Sequence, residues 1–110
     1  MSAMQCEYNL VQRTAERELI PRASHFGLGM MCYSPLAYGL IGKYREGSSA
    51  RLRQSSPNRL VEDELTKKII NKLLQIARDY DSTAEQIALA WAMSKCMFLE
   101  NTHLLIWKLV

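Results

Sequence analysis

The sequence predicts an α/β fold built on a parallel sheet, and three observations carry that reading. Two apolar, strand-like runs, residues 4–10 and 28–34, are separated by a stretch rich in helix signals, which makes a strand–helix–strand unit. The second run is nearly continuously apolar, the pattern of a strand buried on both faces beneath helices. Two helical patterns then follow in the second half of the chain. At 110 residues the whole is one small domain.

Residues 4–10 form a short strand bounded by the polar run that starts at Gln12. Thr14 is placed to cap a helix over 14–26. Pro21 suits a first helical position, and Gly27 suits the left-handed residue that closes a helix. Residues 28–34 are the second strand, reached by a crossover expected to be right-handed. Residues 46–59, rich in Ser, Arg and Gly with Pro57, read as a long loop. Leu65, Ile69, Leu73, Ile76 and Tyr80 then fall on one face of a helix. Glu62, Asp63 and Glu64 stand at its start and Arg78 near its end, as the helix dipole favours. A last helix begins at "STAEQIALAWAM", where Ser82 and Glu85 have capping-box spacing and Ile87, Ala88 and Trp91 share a face.

Composition narrows the function classes. Apolar residues are 48% and charged residues 23%, a globular balance, and a net charge of +3 does not by itself imply nucleic acid. The charge is unevenly placed: Lys43, Arg45, Arg51, Arg53 and Arg59 face a single acid, Glu46. That run is either a solvated loop or a loop that meets an anion. Three cysteines without C-x-x-C spacing fit thiols in a reducing compartment, and no metal site is expected. His103 has no second ligand at metal spacing, and Trp107 reads as packing. With no signal peptide expected, and the terminal "LLIWKLV" too short to span a bilayer, the location is expected to be cytoplasmic without membrane insertion.

The chemistry is concentrated in "YSPLAYGLIGKY", residues 33–44. In parallel α/β folds, ligands bind at the carboxyl ends of strands, and this is such an end. The Tyr33 ring can lie flat against a planar heterocycle. Ser34 offers a hydroxyl, and backbone N–H groups after Pro35 are available to an anion. Gly39 and Gly42 would let a diphosphate approach, with Lys43 adding positive charge. The alternative is a strand-to-loop transition that uses Pro and Gly as punctuation.

"MQCEYNL", "ELIPRASHFGLG", "CYSPLAYGLIGKY" and "STAEQIALAW", in this order and spacing, resemble the aldo-keto reductase family over residues 4–93. The nearest branch includes bacterial reductases and potassium-channel β subunits. The resemblance implies a (β/α)8 TIM barrel that binds NADP(H) at its C-terminal face. Residues 1–94 would be the C-terminal part of that barrel, with about two parallel strands and three or so helices, and residues 95–110 a tail outside the pattern. It further implies that Gln5 hydrogen-bonds the nicotinamide carboxamide and that Tyr33 stacks on the ring. Ser34, Pro35, Leu36, Ala37 and Gly39 would hold the pyrophosphate, with Lys43 nearby and Arg51 or Arg53 reaching a phosphate from a cofactor-covering loop.

The family reaction, carbonyl reduction by NADPH, uses an Asp, Tyr, Lys and His tetrad, and none of the four has a counterpart here. Tyr8 and His25 lie in the wrong motifs. The family's C-terminal cluster for the adenosine 2′-phosphate has no match in "KCMFLENTHLLIWKLV" either. A whole barrel takes about 250 residues. The chain therefore reads as a truncated reductase with part of the NADP(H) site, inactive alone. The alternatives are an interaction module that pairs with a complementary barrel fragment, a full-length reductase or itself, a channel β-subunit-like role, and a truncation product without function. In a two-strand piece the "LGMMCYS" strand would expose apolar surface unless something covers it.

Overall fold

The computed structural model describes residues 3–44 and 63–96. Strand β1, Ala3–Glu7, and strand β2, Gly29–Tyr33, pair in parallel, with Ala3 opposite Gly29, Cys6 opposite Cys32 and Glu7 opposite Tyr33. Helix α1, Leu19–His25, connects them after a single 3-10 turn at Thr14–Glu16. Three more helices follow among the described residues: a one-turn α2, Leu40–Lys43; α3, Glu64–Asp79; and α4, Ala84–Cys96. Parallel strands joined through a helix fit part of a (β/α)8 barrel.

β1 is shorter than expected because Asn9 turns the chain. Its Oδ1 accepts from the backbone N–H groups of Val11 (3.0 Å) and Gln12 (2.7 Å), a turn that competes with further pairing. The helix expected over 14–26 is split for a similar reason. Thr14 does not cap it; the Thr14 hydroxyl donates to Gln12 Oε1 at 2.6 Å. α1 starts later, and Pro21 is its third residue, still in the first turn where an amide hydrogen has no partner in the helix. Its end follows expectation. Gly27 is left-handed (φ 61°), and the N–H groups of Gly27 and Leu28 return to the carbonyls of Ser24 (3.2 Å) and Ala23 (2.8 Å).

α3 starts where expected, with Asp63 accepting from the Thr66 N–H at 2.7 Å. Its buried face is displaced, however. Thr66, Ile70, Leu73 and Ala77 are buried, whereas Leu65 is 64% and Tyr80 74% exposed. Small residues decide this. Leu73 and Ala77 meet Ala84 and Ala88 of α4 and Ile41 of α2 in one cluster, and short side chains let the helices approach. The cap of α4 is also one residue later than expected. Ser82 gives its N–H to the Ala77 carbonyl (2.9 Å), closing α3 around a left-handed Asp81 (φ 48°). Thr83 and Gln86 therefore form the reciprocal box: the Gln86 N–H donates to Thr83 Oγ1 (3.2 Å) and the Thr83 N–H to Gln86 Oε1 (2.9 Å).

The sheet has one covered face. Cys6, Tyr8, Ala15, Ala23 and Met30 form a core cluster, with Met4, Ile20, Leu28, Cys32 and Trp91 against it. On the opposite face Met31 is 44% and Tyr33 40% exposed. β2 is thus not buried on both faces within these residues, which corrects the reading of its continuous apolar run. The exposed apolar surface expected of a two-strand piece is present. No helix among the described residues is long and apolar enough to cross a membrane.

Candidate functional site

Alternation along paired strands sets the site. Side chains two residues apart share a sheet face, so Gln5 and Glu7 of β1 lie on the same side as Met31 and Tyr33 of β2. Gln5 and Tyr33 both line a cavity of about 620 Å³, with Cys6, Glu7, Gln12, Thr14, Ala15, Arg17, Glu18 and Leu19. The lining joins three consecutive β1 residues, and Tyr33 at the end of β2, to the 3-10 turn and the start of α1. An amide and an exposed aromatic face at one opening are the groups that would hold a flat, amide-bearing heterocycle. The charged lining residues are two acids, Glu7 and Glu18, and one base, Arg17, so this cavity is not an anion pocket.

The segment after Tyr33 is a tight coil. Ser34, Ala37 and Tyr38 all have φ of 53°, and Gly39 has φ of 83°. Left-handed backbone at three residues with a Cβ stores strain, of order 1–3 kcal/mol each, which the surrounding packing must offset. Several N–H groups expected to await an anion are used within the turn. Those of Ala37, Gly39, Leu40 and Ile41 donate to Ser34, Leu36, Ala37 and Leu36 carbonyls at 2.9–3.4 Å, and that of Lys43 to Gly39 at 3.1 Å. That corrects the reading of an open amide row.

The individual side chains divide. Ala37 is fully buried with Leu40 and Ile70, so it anchors the turn. Ser34, Pro35 and Leu36 are half-buried and do not line the Gln5–Tyr33 cavity. Gly39 has open space where a Cβ would stand, so it is required for its φ. Gly42 is different: a Cβ there would lie 3.2 Å from Glu85 Oε1, so its role is close packing of α2 on α4 rather than approach of a diphosphate. Glu85 Oε2 beside it is buried with no hydrogen-bond partner among the described residues. Lys43 Nζ lies 5.8 Å from the Tyr44 ring centroid. Arg51 and Arg53, with the rest of the basic run from Arg45 to Arg59, lie outside the described residues, as do His103 and Trp107.

Two features behind the site were not singled out from sequence. Asn9, fully buried, donates from Nδ2 to the Ser34 carbonyl at 3.0 Å and so ties the exit of β1 to that of β2. A polar cluster stands beneath. Tyr8, fully buried, donates its hydroxyl to Glu16 Oε1 (2.7 Å) and stacks on Trp91 of α4 at 5.2 Å. Arg13 grips the same carboxylate through Nε (2.8 Å) and Nη2 (3.0 Å) and lies 5.3 Å from the Trp91 ring centroid. Tyr8 is therefore a packing residue. The signal for Asn9 was its place straight after an apolar strand, where Asn makes turns.

The hydrogen bond from Arg13 holds the Glu16 carboxyl below its ordinary value, with burial opposing and the Tyr8 hydroxyl assisting. A depressed folded-state value stabilises the fold above the ordinary value of 4.5 and is lost as pH falls through the folded value. Melting temperature against pH should accordingly fall more gently on the acid side for Glu16→Gln than for the parent chain. Identical acid limbs would contradict this coupling. The bridge is partly solvated, with side-chain exposures of 51% and 34%, so the effect is modest.

The model of the aldo/keto reductase family matches residues 1–106. An uncharacterized oxidoreductase of Bacillus subtilis is 33% identical over 90 residues, covering 82% of this chain and 27% of that protein. A probable voltage-gated potassium channel subunit beta of Oryza sativa is 38% identical over 100 residues, covering 82% of this chain and 30% of its own length. Versiconal hemiacetal acetate reductase of Aspergillus parasiticus is 31% identical over 98 residues, covering 84% and 28%. The chain thus spans well under a third of the length of these relatives. No solved structure matches it significantly.

Proposed function

The chain belongs to the aldo/keto reductase family, and on that premise we propose that it carries the nicotinamide end of an NADP(H) site. The observation that supports the reading is the meeting of Gln5 and Tyr33 at one cavity from two different strands. Tyr33 supplies a face for the nicotinamide ring, and Gln5 a donor and an acceptor for its carboxamide. Ser34, Pro35, Leu36, Ala37 and Gly39 shape the coil beside the pyrophosphate, with Lys43 and Arg53 contributing charge. When bound, the nucleotide supplies the hydride for reduction of an aldehyde or ketone. The coil orients it, and Asn9 holds the coil against β1. These 110 residues alone bind weakly and do not turn over, because none of them matches the family's proton-donating Tyr or its Asp, Lys and His partners.

Titration of NADPH fluorescence with the purified chain tests this. Saturable binding that drops at least tenfold in Tyr33→Ala, with no NADPH-dependent loss of an aromatic aldehyde, is the expected result. Tyr33 is 40% exposed, so its truncation leaves the core intact. Equal binding by the variant, or turnover by the parent chain, would sink the proposal.

A second reading is favoured by one observation: the described sheet has two strands only, and Met31 and Tyr33 show apolar surface on one of its faces. The edge of such a sheet accepts an added strand. In this reading the chain assembles with the remainder of a reductase barrel or with a second copy of itself. Mixing it with a reductase fragment lacking the corresponding segment should raise the melting temperature. An unchanged melt would count against assembly.

A further inference from the structure

Cys6 and Cys32 are direct register partners in the parallel sheet. Paired residues on adjacent strands project to the same side, and here both sulfurs belong to the helix-covered side: Cys6 is in the core cluster and Cys32 packs against it. Adjacent strands stand roughly 4.7–4.9 Å apart, and nearly parallel Cα–Cβ bonds keep the two Cβ atoms at about that spacing. A disulfide draws its Cβ atoms to about 3.8 Å, so direct oxidation would pinch the sheet by about an ångström. A single atom bonded to both sulfurs at roughly 2.3 Å, the length of a metal–thiolate bond, instead spans about 3–4 Å between them. That separation is within reach of the two side chains with the strands left where they are. Cys6 is only 6% exposed but is among the residues lining the cavity beside β1, and Cys32 is half-buried.

We propose that Cys6 and Cys32 form a dithiol site that takes one thiophilic group across both sulfurs, of the class of monosubstituted trivalent arsenicals. The step is redox-neutral. Two S–H bonds and two As–O bonds break and two As–S bonds form: the two hydroxyls of an arsonous acid R–As(OH)2 take the thiol protons and leave as two waters, and the R–As group stays across the sulfurs. The adduct needs no bound nucleotide, so a chain that fails to bind NADPH can still form it.

Phenylarsine oxide, which hydrates to that acid, is the probe, read by intact mass and by peptide mapping after alkylation with iodoacetamide. The Cys96→Ser chain should take one phenylarsine group under native conditions. The group should withstand excess monothiol, leave with 2,3-dimercaptopropanol, and shield Cys6 and Cys32 together from alkylation. Cys6→Ser or Cys32→Ser, each added to Cys96→Ser, should cut the monothiol-resistant adduct at least tenfold. Shielding is read on a chain with both thiols intact, so the test does not depend on how the serine variants fold. Adduct retained by either serine variant, shielding of only one cysteine, or no adduct on the folded chain would each overturn the site.

Discussion

Replacing Asn9 with alanine should lower stability by about 2–4 kcal/mol, from the loss of four hydrogen bonds at a buried side chain, the weakest a 3.4 Å contact to Glu7 Oε1. Asn9 is fully buried, and its amide satisfies the N–H groups of Val11 and Gln12 and the carbonyl of Ser34. Alanine fills less space and leaves these partners to find water from half-buried positions, so the penalty exceeds that of a surface polar residue. Because the Ser34 bond spans the two strand exits, the damage should extend to the coil at 34–39. A urea melt would show a lower midpoint with little change in slope. Asn9→Asp should not recover the loss near neutral pH: its carboxylate still accepts from Val11 and Gln12 but sets negative charge against the Ser34 carbonyl and Glu7 Oε1, where the amide donated. A midpoint within error of the parent for Asn9→Ala would show that the tie contributes nothing.

Leu40→Ala is expected to cost a similar amount, about 2–5 kcal/mol, as a large-to-small change in a closed core. Leu40 is fully buried with Ala37 and Ile70, and Val11, Tyr44 and Leu74 pack around them. This cluster is where the coil after β2 rests on α3. Removing three carbons there loses burial and leaves a cavity that the fixed turn cannot collapse into. The left-handed residues of the coil depend on this packing, so loss of the cluster should also loosen the turn. Faster amide exchange at Gly39 and Leu40 than at α1 in the variant would register that coupling. Uniform acceleration across the chain would show instead that the cluster supports the whole fold without favouring the turn.

Local chemistry was legible in the sequence, and choices made by neighbours were not. Gly27 and Asp63 stand at helix ends as their residue types require, because capping involves a few adjacent atoms. The face of α3 was misplaced by one position because large apolar residues, Leu65, Ile69 and Ile76, drew the stripe toward themselves. Ile69 and Ile76 instead border an open groove of about 350 Å³ with Leu10, Ile87 and Trp91. The buried seam uses Thr66 and Ala77, which mark a face only once the alanines of α4 are known to meet it. The cap at Ser82 failed for a related reason: its N–H was already committed to closing the preceding helix. Among the candidate site residues, Gln5 and Tyr33 were readable as a pair only through family resemblance, and strand register explains why they meet. The smallness of Gly42 reads as room for a diphosphate in the sequence, whereas in the structure a Cβ there would crowd Glu85 Oε1 at 3.2 Å.

The central claim is that the Gln5–Tyr33 cavity is the nicotinamide end of a dinucleotide site. The most direct measurement is a two-dimensional amide NMR titration of the chain with NADP+, compared with nicotinamide mononucleotide alone. Saturable shifts of the Gln5 side-chain amide and the Tyr33 and Ser34 backbone with both ligands, and of Leu36 to Gly39 only with the dinucleotide, are the predicted result. Shifts confined to the groove between α3 and α4, or none at millimolar ligand, would contradict it.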